Sequence, residues 1–162
     1  MRSIKNENNL YGKKILLRLD LNVPLDRGKI SDTTRIDKIL PTLKFLNKKK
    51  AKIIILSHVG RPKGKVLKEL SLKPICENLQ DQLGLNVKLI TKNINEIENK
   101  DFFDNFDEEI LVLENIRFYA EEEKNDNKFA EHLASFGDIY VNDAFSCSHR
   151  PHASIVEISK FL

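Results

Sequence analysis

The sequence predicts an α/β fold: a three-layer α/β/α domain built on a mostly parallel, Rossmann-like sheet. Three observations carry that prediction. Apolar runs rich in Ile, Val and Leu recur with little alternation, as in strands covered on both faces. Segments with apolar residues at helical spacing separate those runs, so strand and helix alternate along the whole length. The size fits one domain, because 162 residues with 41% hydrophobic and 31% charged content can bury roughly 68–70% of the unfolded surface without disulfides or a structural metal.

Residues 14–19 form the first expected strand. Residues 32–47 follow as a helix, opened by a capping Asp or Thr and carrying Ile36, Ile39, Leu40, Leu43 and Leu46 on one stripe. Residues 52–56 are the second strand and hold the longest apolar run, Ile53-Ile54-Ile55-Leu56. A helix over 72–83 has Pro74 near its start and Gly84 at its end. Residues 86–90 and 109–113 are strands, and the acidic stretch 101–109 reads as a solvated helix or loop. A helix over 124–136 stops at Gly137, a strand over 138–141 follows, and 154–158 is a candidate sixth strand. The chain stops at Ser159-Lys160-Phe161-Leu162 without a cap, charge run or turn, which reads as a domain cut before its next element.

Composition excludes several classes. A net charge of +3 is too small to argue for nucleic acid. No apolar stretch approaches the ~18 residues of a membrane span, and the polar N-terminus lacks an export signal's apolar core. Cys76 and Cys147 do not make a disulfide framework. A soluble cytoplasmic domain is the expectation. The basic residues divide unevenly, 20 Lys against 7 Arg. Five of the arginines (Arg18, Arg35, Arg61, Arg117 and Arg150) stand at or just after strand-like runs, or beside a turn. Arg is favoured where a planar fork grips carboxylate or phosphate oxygens in two places.

In open parallel sheets, ligands bind outside the carboxyl ends of the strands. In the first strand, alternation sets Leu17, Leu19 and Leu21 on one face and Arg18, Asp20 and Asn22 on the other. The second strand runs into Ser57-His58-Val59-Gly60-Arg61-Pro62, and the strand over 109–113 into Glu114-Asn115-Ile116-Arg117-Phe118. The last one leads through Asn142 and Asp143 to His149, Arg150 and His152. Arg35 lies at the start of the first helix, on the same edge. One rim thus collects up to five Arg and three of the four His. Such a cluster repels itself unless an anion joins it, and a small polyanion bearing phosphate and carboxylate suits bidentate Arg. Asp20 and Asn22 supply acceptors for a hydroxyl and hold the Arg forks.

Other signals are weaker. Gly60-Arg-Pro-Lys-Gly64-Lys65 has one residue too few for a phosphate-binding P-loop, and Val66 replaces the metal-binding hydroxyl. Cys147, His149 and His152 lack a second ligand pair for zinc. Ser57 and Ser146 lack a nucleophile elbow. Cys76 and His132 fall in helical patterns as packing residues. Asp143 is better read as capping a turn or orienting Arg150 than as a base.

Four motifs now resemble the amino-terminal domain of phosphoglycerate kinase. They are Arg18-Leu-Asp20-Leu-Asn22-Val23-Pro24, Ser57-His58-Val-Gly60-Arg61-Pro62, Leu113-Glu114-Asn115-Ile-Arg117-Phe118, and Val141-Asn142-Asp143-Ala144-Phe145 through His149-Arg150-Pro-His152. Departures are small: Leu21 stands where Phe is usual, Ser146-Cys147-Ser148 where Gly-Thr-Ala is common, and Pro151 where Ala is common. The resemblance implies a two-domain enzyme that passes a phosphoryl group between 1,3-bisphosphoglycerate and ADP, giving 3-phosphoglycerate and ATP. It implies that this chain is the acceptor-binding domain, residues 1–162, and is inactive alone. It implies substrate contacts from Asp20, Asn22, Arg35, His58, Arg61, Arg117 and Arg150, with Arg35 also at the migrating phosphoryl group. Arg18, His149 and His152 complete a basic patch. Mg-ATP or Mg-ADP is implied to bind the carboxyl-terminal domain, which this chain lacks, so no cofactor or metal is expected here. The complete enzyme is expected to be a cytoplasmic monomer without membrane or nucleic-acid partners. The alternatives are a free-standing anion-binding module and a basic RNA-binding domain. Against the latter, aromatics are few and the sheet is covered on both faces.

Overall fold

The structure, a computed structural model, describes residues 4–7, 9–144 and 151–162. Strand β1 (Lys14–Leu19) is followed by a two-stranded hairpin of β2 (Leu25–Asp26) and β3 (Lys29–Ile30), then by helix α1 (Thr34–Lys48). Strand β4 (Lys52–Leu56), helix α2 (Lys73–Leu83), and strands β5 (Val87–Ile90) and β6 (Ile110–Leu113) come next. Short helix α3 (Ala120–Glu123), helix α4 (Asn127–Ala134) and strand β7 (Ile139–Asp143) complete the series. Five strands form one sheet in the order β5-β6-β4-β1-β7, and every neighbouring pair is parallel.

The strand order dictates where the helices lie. The chain moves in one direction across the sheet from β1 through β4 to β5, then reverses to β6 and β7. Right-handed crossovers therefore put α1 and α2 on one face and the later segments on the other. The two cores match. Ile15, Leu17, Leu19, Ile53, Ile55, Ile110 and Val112 pack with Ile36, Ile39, Leu43 and Leu46 of α1 and Ile75 and Leu79 of α2. On the other face, Leu16, Ile54, Leu56, Leu111 and Leu113 pack with Phe103, Phe129, Leu133 and Ile158. Successive strand residues feed opposite cores, so the unalternating runs are buried on both sides.

Three expectations need correction. Residues 154–158 are not a strand: the backbone folds back on itself, Val156 N donating to His152 O at 2.8 Å and Ile158 N to Ala153 O at 2.9 Å, and ends in the 3-10 turn Glu157–Lys160. The β-branched pattern there is used to bury Ile155 and Ile158 from a turn. The helix expected over 124–136 is shortened to α4, because Asn125 takes a left-handed φ of 52° and Asp126 starts the helix by accepting from Lys128 N at 3.1 Å; the short α3 lies ahead of the expected range. The acidic stretch is not wholly solvated. Its 3-10 turn, Lys100–Asn105, buries Phe103 completely, edge-on to Phe136 at 5.3 Å between ring centroids. Among the described residues, no helix is long and apolar enough to cross a membrane.

Candidate anion-binding rim

All five sheet strands are parallel, so their carboxyl ends share one edge. Chain leaving β4 heads for α2 on one face and chain leaving β6 heads for α3 on the other. The gap between these two neighbouring strand ends is thus a topological switch point, where α/β sheets open a crevice. A cleft of about 260 Å³ lies there, lined by Arg61 and Lys63 from the loop after β4, Arg117 after β6, Glu123 at the end of α3, and His152. Three permanent cations against one carboxylate give it a positive character that suits a small anion.

Local chemistry fixes these loops. Ser57 bridges the ends of β1 and β4, its hydroxyl donating to Leu19 O at 2.8 Å and accepting from Leu21 N at 3.1 Å. Asn115 is fully buried; its Nδ2 donates to Val59 O at 2.8 Å and Leu70 O at 2.9 Å, and its Oδ1 accepts from Arg117 N at 3.1 Å. One side chain thus pins the loop carrying Arg61 to the turn carrying Arg117. Gly64 N donates to Arg117 O at 3.0 Å. Glu114 holds the start of α2, accepting from Leu72 N at 2.8 Å and Ser71 Oγ at 2.7 Å.

A second group lies at the end of β1. Asp20 Oδ1 accepts from Arg35 Nη1 at 2.9 Å, and the same Nη1 donates to Asn22 O at 3.0 Å. Asn22 Oδ1 accepts from Gly60 N at 3.0 Å, tying this group to the β4 loop. Arg35 remains nearly half exposed at the head of α1, with nitrogens left to meet a ligand.

Between the groups lies an interior layer. Arg18 has 0% exposure and His58 2%, and Arg18 Nη2 meets His58 Nδ1 at 2.9 Å. Sequence alternation sets Arg18 on the polar side of β1, but that side is covered by the segment after residue 150. Arg18 Nε donates there to Ser154 Oγ at 2.9 Å. Arg18 is therefore a buried support under the rim, not a surface charge. Ser154 N donates to Glu122 Oε1 at 2.7 Å, and Ser154 Oγ donates to Glu122 Oε2. Burial pushes the Glu122 carboxyl above its ordinary value, while Arg18, the Ser154 bonds and Arg117 pull it down.

Of the sequence-predicted residues, Arg61, Arg117 and His152 line the cleft, while Asp20, Asn22 and Arg35 form the adjoining group. His58 and Arg18 underlie both. Arg150 and His149 lie outside the described residues, as does Cys147. Asp143 Oδ2 accepts from Thr42 Oγ1 at 3.2 Å, anchoring β7 to α1. Cys76 is buried in the core, and His132 bonds Ile94 O at 2.9 Å, a packing role. Sequence reasoning missed Glu122, Asn115, Lys63 and Glu123. Lys63 was readable from its place between Gly60 and Gly64, whereas Glu122 sits in an acidic triplet that looks solvated.

Comparisons with known proteins agree with this architecture. The family described as phosphoglycerate kinase matches residues 5–162. A phosphoglycerate kinase from Borrelia garinii is 46% identical over 162 residues, covering 100% of this chain and 41% of that protein. A cytosolic phosphoglycerate kinase from Triticum aestivum is 52% identical over 157 residues, covering 96% of this chain and 39% of the relative. Among solved structures, phosphoglycerate kinase from Coxiella burnetii superposes with a TM-score of 0.86 at 36% identity, over 98% of this chain and 39% of that one. The chain thus spans about two fifths of the length of these relatives. A match across nearly every residue, with the same parallel sheet, places this chain in the phosphoglycerate kinase family.

Proposed function

We propose that this chain supplies the acceptor-binding half of a phosphoglycerate kinase. In that reaction the bond between phosphorus and the acyl oxygen of 1,3-bisphosphoglycerate breaks. A β-phosphate oxygen of ADP bonds to the phosphorus, and 3-phosphoglycerate leaves as a carboxylate. The observation that carries this reading is the cleft where Arg61, Lys63, Arg117 and His152 converge at the switch point. It adjoins the Asp20–Arg35–Asn22 group at a matching rim. Arg61 and Arg117, with Arg150 and His58, hold the 3-phosphate. Asp20 and Asn22 receive the substrate's hydroxyl and carboxylate region. Arg35 faces the carboxylate and the migrating phosphoryl, where charge builds in the transition state. Arg18 supports this array from below, and His149 and His152 complete the basic patch.

Mg-ATP or Mg-ADP belongs, on this proposal, to a carboxyl-terminal domain outside these 162 residues, and the complete enzyme works as a cytoplasmic monomer. Among the described residues no group of three or more His, Cys, Asp or Glu is placed to hold a metal ion. The chain by itself binds the acceptor and does not turn over.

Calorimetric titration with 3-phosphoglycerate at low salt, with sulfate as the control anion, tests the proposal. One-to-one binding weakened at least about tenfold by Arg35→Ala, the scale of one charged contact, supports it. A folded protein that binds sulfate and 3-phosphoglycerate equally refutes it, and favours a general anion-binding module.

A further inference from the structure

We infer that His58 serves the rim as a neutral hydrogen-bond donor whose proton is held on Nε2, and that Glu122, acting through Ser154 and Arg18, is the positioning residue that keeps it so. The inference deepens the acceptor-site proposal and rests on it for the ligand, but its geometry stands on the interior layer alone.

A guanidinium carries donors and no acceptor, and it does not deprotonate in proteins. At 2.9 Å from Arg18 Nη2, His58 Nδ1 must therefore offer its lone pair. A proton on Nδ1 would set N–H against N–H in the neutral ring, and a proton on both nitrogens would add a second buried cation beside Arg18, with His58 2% and Arg18 0% exposed. The remaining ring nitrogen, Nε2, then bears the hydrogen. A phosphate or carboxylate oxygen only accepts, so an Nε2–H is the form of histidine it can use without a net charge on the ring.

The direction of this bond is set from further away. Arg18 Nε donates to Ser154 Oγ at 2.9 Å. A hydroxyl has one hydrogen, and that of Ser154 goes to Glu122 Oε2, which leaves a lone pair turned to Arg18. Glu122 Oε1 takes the Ser154 backbone N–H at 2.7 Å, so both carboxylate oxygens are engaged by one residue. Every link has one sense: Arg18 donates to His58 and to Ser154, and Ser154 donates to Glu122. Glu122 and Arg18 thus face each other across one hydroxyl, in a layer where a guanidinium without hydrogen-bond partners would be costly. The glutamate at the far end thereby fixes the plane and position of the Arg18 fork, and through it the imidazole.

The test is made on the purified protein at its natural length. Long-range proton–nitrogen NMR of histidine-labelled protein at neutral pH should show His58 as a single tautomer, Nδ1 bare and Nε2 protonated. In Glu122→Gln, which keeps the volume, the His58 nitrogen signals should move toward an averaged pair. Affinity for 3-phosphoglycerate should fall about tenfold, the scale of one charge-assisted hydrogen bond. A cycle with His58→Gln separates positioning from general structure. In that background Glu122→Gln should cost little further affinity, whereas a merely structural role would cost the same factor in both. A protonated Nδ1 in the wild type, or additive losses in the cycle, overturns the inference. The NMR signature needs no ligand, so failure of 3-phosphoglycerate to bind overturns the acceptor-site proposal separately.

Discussion

Replacing Asn115 by Ala tests how one buried amide holds two arginine-bearing loops together. The side chain is fully buried and makes three hydrogen bonds, to Val59 O at 2.8 Å, to Leu70 O at 2.9 Å and from Arg117 N at 3.1 Å. Truncation strands two carbonyls and an amide in the interior. At about 1 kcal/mol net per bond the loss is about 3 kcal/mol, out of a total of about 5–15 kcal/mol for an ordinary domain. With an m-value near 2 kcal/mol/M, the urea midpoint should fall by about 1.5 M. Asn115→Asp gives the sharper comparison. It nearly keeps the shape and the acceptor for Arg117 N, but turns an oxygen toward two carbonyl oxygens, so it should be at least as destabilising as Ala. Equilibrium urea unfolding followed by circular dichroism measures both, and sulfate affinity should fall alongside because Arg61 and Arg117 lose their common anchor. A loss below about 1 kcal/mol for Ala, or an Asp variant as stable as the wild type, would refute the reasoning.

Further outcomes follow from other sites. Gly64 has φ 77° and a Cβ there would come within 2.9 Å of Ala120 Cβ and 3.0 Å of its Cα, whereas Gly84, at φ 65°, faces nothing within 4 Å. Gly84→Ala should cost about 1 kcal/mol and Gly64→Ala about 2–4 kcal/mol; equal thermal shifts for the two would show that the contact with α3 relaxes freely. Burial, with the charges of Glu114 and Glu77, pushes the Cys76 thiol up to about 12. Alkylation at pH ~8 should spare Cys76 in the folded protein and label it in urea, and rapid labelling of its peptide under native conditions would contradict the burial. Burial pushes the Asp138 carboxyl up, but its bonds to Lys100 and Lys14 N and their charges outweigh that and leave it below the ordinary 3.8. A lowered folded pKa contributes stability that is complete above 3.8 and is lost as pH falls through the folded value. The stability gap between wild type and Asp138→Asn should therefore be steady near pH ~6 and close below about pH 4; a gap that persists in acid would show that the carboxylate charge is not what stabilises this end of the sheet.

Much of the fold is legible in the sequence because its signals are local. Expected and observed strands coincide at residues 14–19 and 52–56 and differ by a residue or two at the other three strands of the main sheet, since Ile- and Leu-rich runs bounded by turns leave little choice; the small hairpin β2–β3 was not expected. The start of the helix after residue 124 was placed three residues early, although Asn125-Asp126-Asn127 carries the turn and cap residues that set it. The turn after residue 152 was missed for a different reason. Its β-branched residues favour a strand, and distant partners, Glu122 at 32 residues' separation, Tyr140 and Arg18, hold Ser154 within a turn instead.

The sequence by itself determined the parallel α/β class, the residues that end each strand, and hence the gathering of Asp20, Asn22, His58, Arg61 and Arg117 on one edge. Period-two alternation and the strand–helix–strand order are enough for that, because each is read from neighbours along the chain. Only the tertiary structure decided which charges face water. Arg18 and Glu122 look like rim and surface residues in the sequence, yet both are fully buried and joined through Ser154. Ser154 is 136 residues from Arg18 along the chain. Whether a charged side chain is a ligand-binding group or a support depends on what covers it. That cover comes from distant segments brought over the sheet by the reversal of its crossovers.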